Sequence, residues 1–346
     1  MIDLIPPARD ARGGHVSVAV KVPREPSVLG HNRPRNAGVA LDTTWFEGVG
    51  VNASAVERRT STLVARRSVK KAYQAAWLVQ ALKCIDLTTL AGDDTPERVR
   101  RLCAKARRPL SDELVAGLAL ESEVKVAAVC VYPTMVAPAV AALKGSGVPV
   151  ASVATGFPAG LTPLKQRLAE IDYAIGEGAE EIDIVISRAH VFARDWRALY
   201  DEVRAMRDAC GRAHLKAILA TGDLRTLRNV YAAGMVAMQA GADFIKTSTG
   251  KEDVNATLPV SLVMLRALRD YREQTGFAVG FKPAGGVRAA KDALNWLILM
   301  REELGIAWMR NDLFRFGASA LLNDIERQLE HFLSGRYSAG HRHAMG

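Results

Sequence analysis

The sequence predicts an α/β fold, a closed parallel (β/α)8 barrel of the TIM type with a helical extension on its N-terminal side. Three observations predict it. Eight short apolar runs are each followed by a longer run of helical period. The repeat fills residues 83–336, close to the ~250 residues that eight β-α units require. Glycines stand where the helical runs should end. Periodicity does not show closure, so an open doubly wound sheet is the alternative. None of the apolar runs leads into a GxGxxG or Walker loop, so nothing favours a nucleotide-binding version of that sheet.

The elements follow in order. Residues 1–40 carry five prolines and no sustained period, which predicts a disordered tail. Its excess of arginine leaves an organelle-targeting segment as the alternative. Residues 41–82 read as the helical extension. Helical pattern begins at the capping residues Asn52–Ser54 and runs toward Leu82 as one or two helices, with Tyr73/Trp77 and Leu78/Leu82 at i,i+4 spacing. The basic residues Arg58, Arg59, Arg66, Arg67, Lys70 and Lys71 on it read as a solvated face. The expected strands are 83–88, 126–132, 149–154, 181–186, 214–219, 243–248, 278–283 and 313–317. Gly276, Gly305 and Gly335 are expected to end helices in left-handed conformation. Residues 337–346 form a C-terminal tail.

Composition narrows the classes. The chain has 346 residues, 49% hydrophobic and 24% charged, enough to bury a large core. Its net charge of +9 suggests nucleic acid until it is located, for residues 1–71 hold twelve Lys/Arg against six Asp/Glu. A basic groove needs its excess on the folded body, so no nucleic-acid partner is expected. The four cysteines form no C-x-x-C pair, which suits a reducing compartment. No run of eighteen apolar residues occurs, so a soluble cytoplasmic protein without membrane contact is expected. The seven histidines show no ligand spacing with carboxylates, and neither a metal nor an organic cofactor is expected.

Barrels carry their chemistry at the C-terminal ends of strands. The chemically active residues there are Asp86, Cys130, Asp183, Lys216, Lys246 and Lys282. Lysine is rarely buried, so three strand lysines need a reason. Alternation puts Asp183 opposite Ile182 and Ile184, and Lys246 opposite Ile245 and Thr247, so both should face the barrel axis. Amines crowded in a dry cavity repel as ammonium ions, and one of them should lose its proton and become a nucleophile toward aldehydes. The plain structural alternative is a buried ion-pair network of the lysines with Asp86 and Asp183. Cys130 reads as a small buried hydrophobe, since no basic partner adjoins it. The double glycine Gly285–Gly286 and the turn Gly317–Ala318–Ser319 end strands seven and eight, where backbone N–H groups can hold phosphate.

Several segments together resemble the deoxyribose-phosphate aldolases: IDLTTL (85–90), AAVCVYP (127–133), EIDIVI (181–186), LKAILATGDL (215–224), DFIKTSTGK (243–251), GFKPAGGVR (280–288) and FRFGAS (314–319). The match spans roughly 83–335, on every strand except the third, and the longer N-terminus is similar to that of eukaryotic-type members. The resemblance implies a class I aldolase that interconverts 2-deoxy-D-ribose 5-phosphate with D-glyceraldehyde 3-phosphate and acetaldehyde in deoxyribonucleoside catabolism. It implies Lys246 as the imine-forming residue, Lys282 as the neighbour that lowers its pKa, Asp183 as the proton donor and acceptor, and Lys216 in support. Asp86, Cys130, Thr249, Lys251, Gly285, Gly286 and Ser319 would hold the substrate and its phosphate. Ala320 stands where relatives often carry a second hydroxyl. A homodimer is also implied. The alternatives are a barrel aldolase of other aldehyde specificity, or a non-catalytic scaffold with a basic N-terminal arm. On the aldolase reading, deleting residues 1–50 should cost little activity.

Overall fold

The computed structural model describes residues 34–120, 123–339 and 343. The tail and targeting readings of residues 1–33, and all of the C-terminal tail except 337–339 and 343, lie outside these. Among the described residues three helices precede the first strand: α1 (Thr44–Glu47), α2 (Ala53–Arg66) and α3 (Lys71–Lys83). The Asn52 side chain caps α2, accepting from the Ala55 N–H at 2.9 Å. β1 (Ile85–Thr88) leads to α4 (Pro96–Arg107) and α5 (Asp112–Gly117), β2 (Ala128–Val131) to α6 (Val136–Leu143), and β3 (Val150–Val153) to α7 (Leu164–Gly176). β4 (Glu181–Val185) leads to α8 (Arg188–Ala193) and α9 (Trp196–Cys210), β5 (His214–Ile218) to α10 (Leu227–Gln239), and β6 (Phe244–Lys246) to α11 (Leu258–Thr275). β7 (Gly280–Lys282) is followed by α12 (Ala290–Leu304), and β8 (Phe316–Ala318) by α13 (Ala320–Ser334).

All pairings are parallel, in the order β7-β6-β5-β4-β3-β2-β1-β8. Bridges between Phe281 and Phe314 and between Ala284 and Gly317 join the two ends, so the sheet closes into a barrel and the open-sheet alternative falls. Alternation divides the strand side chains into two shells. Ile85, Leu87, Val129, Val131, Ile182, Ile184, Leu215 and Ile245 face outward into the helix layer. Each such aliphatic side chain contributes about 1.5–3 kcal/mol through burial. Ala128, Cys130, Ala151, Val153, Val185 and Ile218 pack together inside, with Phe157 over them. The helical extension covers the barrel's outside, α2 against α11 and α12, α3 against α12 and α13. Arg59 and Arg67 pair with Glu302, and Arg59 also with Glu303, on its solvated face. Among the described residues no helix is long and apolar enough to cross a membrane.

Two expectations are corrected here. The tail does not extend to residue 40, because the segment after Pro34 is fastened to the barrel. Asn36 is buried, its amide donating to the Met238 and Ala242 carbonyls at 2.8 and 3.0 Å and its side-chain oxygen accepting from the Tyr271 hydroxyl at 3.0 Å. Its backbone N–H donates to Asp243 at 2.8 Å, and Val39 donates to the Gln239 carbonyl at 2.8 Å. Phe46 on α1 is buried too, so a deletion through residue 50 removes part of the core. Gly276 and Gly335 do end their helices in the left-handed region, but Gly305 does not. Its φ of 86° and ψ of 172° turn the chain into an extended step that only glycine takes easily.

Candidate active site

The inner shell is apolar on the β2–β3 side and charged on the other, and strand register produces the division. Asp183 on β4 pairs in register with Lys216 on β5, and Lys246 on β6 with Lys282 on β7. Glu181 lies two residues before Asp183, so it points inward one layer lower. Inward space is made by glycine. A side chain at Gly280 would run into the Phe244 ring, and one at Gly317 into Lys282 and Ala284.

These side chains form one connected lattice. Asp183 accepts from Lys246 at 2.7 Å, Lys282 at 2.8 Å and Lys216 at 2.9 Å. Asp86 accepts from Lys282 at 2.5 Å and Arg315 at 2.6 Å, and Lys216 lies 3.3 Å from it. Glu181 pairs with Lys216 at 2.6 Å and with Arg315 at 2.8 Å. His214, the register partner of Glu181, is pushed down to about 3 by burial, so it stays neutral, and its Nε2 receives a bond from Arg35. Four basic groups, Lys216, Lys246, Lys282 and Arg315, thus face three carboxylates, Asp86, Glu181 and Asp183. The interior is neutral when one of the four is deprotonated.

Environment selects which one. Burial opposes the charge on every lysine, but Lys216 is surrounded by Asp183, Asp86 and Glu181, which raise it well above the ordinary range. Asp183 and Asp86 likewise raise Lys282. Lys246 has only Asp183 close by, so burial, helped by the charge of Lys282, leaves it below the usual lysine value. Burial also works against the Asp183 carboxylate, yet the three lysines more than offset this and hold it ionised. Lys216 and Lys282 are fully buried, whereas Lys246 lines a cavity of about 450 Å³ at the C-terminal end of the barrel. Of the three lysines, the one with the depressed proton affinity is the one a ligand can reach.

The same cavity is lined by Thr88, Thr89, Leu90 and Arg98 on one side and by Thr249, Gly250, Lys251, Gly285 and Ser319 on the other. Lys251, Gly285 and Ser319 are therefore brought together with Lys246. Gly286 has a left-handed φ of 81° but does not line the cavity. Two residues expected at the substrate do not line this cavity, although both stand close to its lysines. Asp86 is fully buried in the ion lattice, and Cys130 is fully buried in the apolar half, where burial raises its thiol and keeps it protonated. Thr249 does line the cavity, but its N–H and hydroxyl already donate to Glu252, at 3.0 and 2.8 Å. The sequence reading missed Glu181 and Arg315, although alternation from Asp183 would have placed Glu181. It also missed Arg98, whose position on α4 gives no strand signal. Ser248, two residues past Lys246, is fully buried and its hydroxyl has no hydrogen-bond partner among the described residues.

A closed parallel barrel whose charged interior lowers the proton affinity of one lysine that opens to a cavity points to an enzyme class built on an amine nucleophile. The chain belongs to the DeoC/LacD aldolase family, whose model matches residues 80–325, and aldolases are carbon–carbon lyases. It is 59% identical to a deoxyribose-phosphate aldolase of Bos taurus over 307 residues, 88% of this chain and 96% of that one. With the deoxyribose-phosphate aldolase of Homo sapiens it shares 58% identity over 309 residues, 88% of this chain and 97% of that one. The fold matches the structure of deoxyribose phosphate aldolase from Aeropyrum pernix with a TM-score of 0.56 at 23% identity, over 81% of this chain and 99% of that one.

Proposed function

We propose that this enzyme is a class I deoxyribose-phosphate aldolase, cleaving 2-deoxy-D-ribose 5-phosphate reversibly to D-glyceraldehyde 3-phosphate and acetaldehyde. The observation that carries the reading is that Lys246, with lowered proton affinity, is the one strand lysine at the cavity wall. The near-complete coverage of the mammalian aldolases supports the substrate.

In this reading the neutral Lys246 Nζ attacks the aldehyde carbon of the open-chain sugar, and loss of water gives a protonated imine. The imine draws the electron pair of the C2–C3 bond as the 3-hydroxyl gives up its proton. The bond breaks, glyceraldehyde 3-phosphate leaves, and an enamine stays on Lys246. Protonation at C2 and hydrolysis then release acetaldehyde and restore the amine. Asp183, 2.7 Å from Nζ, is the nearest carboxylate for these proton transfers, with Lys282 as its charged partner and Lys216 in support. Lys251, Gly285 and Ser319 hold the phosphate at the far wall. Asp86 acts on the substrate only through Lys282. We place the activity in the cytoplasm, in deoxyribonucleoside breakdown, with a small phosphorylated sugar as its partner; four free, buried thiols fit a reducing compartment.

The test is reductive trapping. Acetaldehyde with cyanoborohydride should leave a two-carbon adduct on Lys246, found by peptide mass spectrometry, and Lys246→Met should abolish both adduct and turnover. Turnover of deoxyribose 5-phosphate should be the same with and without a chelator. An adduct on another lysine, with full activity in Lys246→Met, would sink the proposal.

A further inference from the structure

The wall at the proposed phosphate end of the cavity is bonded to an anion of the protein's own. Thr249, Gly250 and Lys251 are consecutive cavity-wall residues, and Gly250, at a φ of 88°, turns successive N–H groups the same way. Such concavities of backbone donors bind anions. Here the Glu252 carboxylate fills it. It accepts from the Thr249 N–H at 3.0 Å, the Thr249 hydroxyl at 2.8 Å and the Gly250 N–H at 3.1 Å. The loop is fixed against the other phosphate-side turn. Asn255 donates to the Glu252 carbonyl at 2.9 Å, and a side chain at Gly285 would meet Asn255 at 2.6 Å.

We propose that Glu252 is a specificity-determining residue that weakens the enzyme's hold on phosphate. This rests on the aldolase reading and deepens it. A phosphate entering beside Lys251 and Gly285 meets two donors and a hydroxyl already committed to a tethered carboxylate. It must either displace that carboxylate or sit across a single peptide layer from it. Both cases cost affinity, the first by competition from a ligand at high local concentration and the second by like-charge repulsion. Neither touches the Lys246 end of the substrate. The carboxylate therefore discriminates by the presence of phosphate, and it eases release of the phosphorylated product.

Glu252→Gln keeps the size and one acceptor but removes the charge. In the full-length enzyme, the ratio of kcat/KM for deoxyribose 5-phosphate to that for unphosphorylated deoxyribose should rise roughly tenfold, carried by KM. Inorganic phosphate, titrated by calorimetry, should bind more tightly by a similar factor. If phosphate binds no better, or both sugars change together, Glu252 only shapes the loop and the proposal fails. Cleavage of deoxyribose with Glu252→Gln controls for folding. No turnover of deoxyribose 5-phosphate by the unaltered enzyme would overturn the functional reading instead, and the phosphate titration would still decide the role of Glu252.

Discussion

Replacing Lys282 by methionine separates two roles that turnover alone confuses. Lys246 and Lys282 donate to the same oxygen of Asp183, at 2.7 and 2.8 Å, so their nitrogens are no more than about 5.5 Å apart, the two contacts laid end to end. At an effective dielectric constant of about 20, two unit charges at that separation repel by about 3 kcal/mol. That is roughly a hundredfold in the balance between ammonium and amine. Asp183 and Asp86 keep Lys282 charged against the opposing effect of burial, so its removal deletes the repulsion and gives Lys246 a larger share of Asp183. Three basic groups would then face three carboxylates, a balanced interior that should fold. The assay is the rate of cyanoborohydride trapping of acetaldehyde against pH, which reads the free amine without needing proton transfer to carbon. In Lys282→Met the rate near pH 7 should fall roughly a hundredfold and return as pH rises. If turnover falls while the trapping profile keeps its position on the pH axis, Lys282 only moves protons and the electrostatic reasoning is refuted.

Three further outcomes concern stability. His214 is buried neutral, with its folded value lowered from 6.5 to about 3, so between these values the unfolded chain binds the extra proton. Its contribution is whole above about pH 6.5 and is lost as pH falls toward 3; in His214→Gln, the slope of stability with pH between pH 4 and 6 should shrink by about 1.4 kcal/mol per unit, measured by urea unfolding. Asn36→Ala removes a donor from the Met238 and Ala242 carbonyls and the acceptor of the Tyr271 hydroxyl, and urea midpoints should report a loss of about 3 kcal/mol. Removing residues 1–50 should unfold or aggregate the chain, the reverse of what the sequence suggested, because Asn36 and Phe46 go with it.

The strands were legible because helix-covered parallel strands need unbroken outward apolar faces, and Ile182/Ile184 or Ile245 supply them in plain alternation. The same alternation turned Asp183 and Lys246 inward. Depth was not legible. Lys246 and Lys282 are register partners with the same parity, yet Lys282 reaches across to Asp86 over the space that Gly317 leaves, while Lys246 ends at the cavity. Closure was hidden because it rests on two bridges, not on composition. Asn36 was read as tail because a lone polar residue among prolines has no period, and its worth lies in partners some two hundred residues away. Thr249 lines the cavity, but no pattern in the sequence says which acceptor its donors have taken.

The surplus of one basic group over the carboxylates makes the barrel interior a sensor of what Lys246 carries. A free amine or an enamine leaves it electrically even, while a protonated imine makes it one charge too positive. In the proposed cycle, bond cleavage is the step that turns the protonated imine into the enamine. The lattice therefore makes carbon–carbon scission a discharge of the protein itself, so Lys216 and Arg315, sealed away from the ligand, bear on the rate through a balance they share with the sugar.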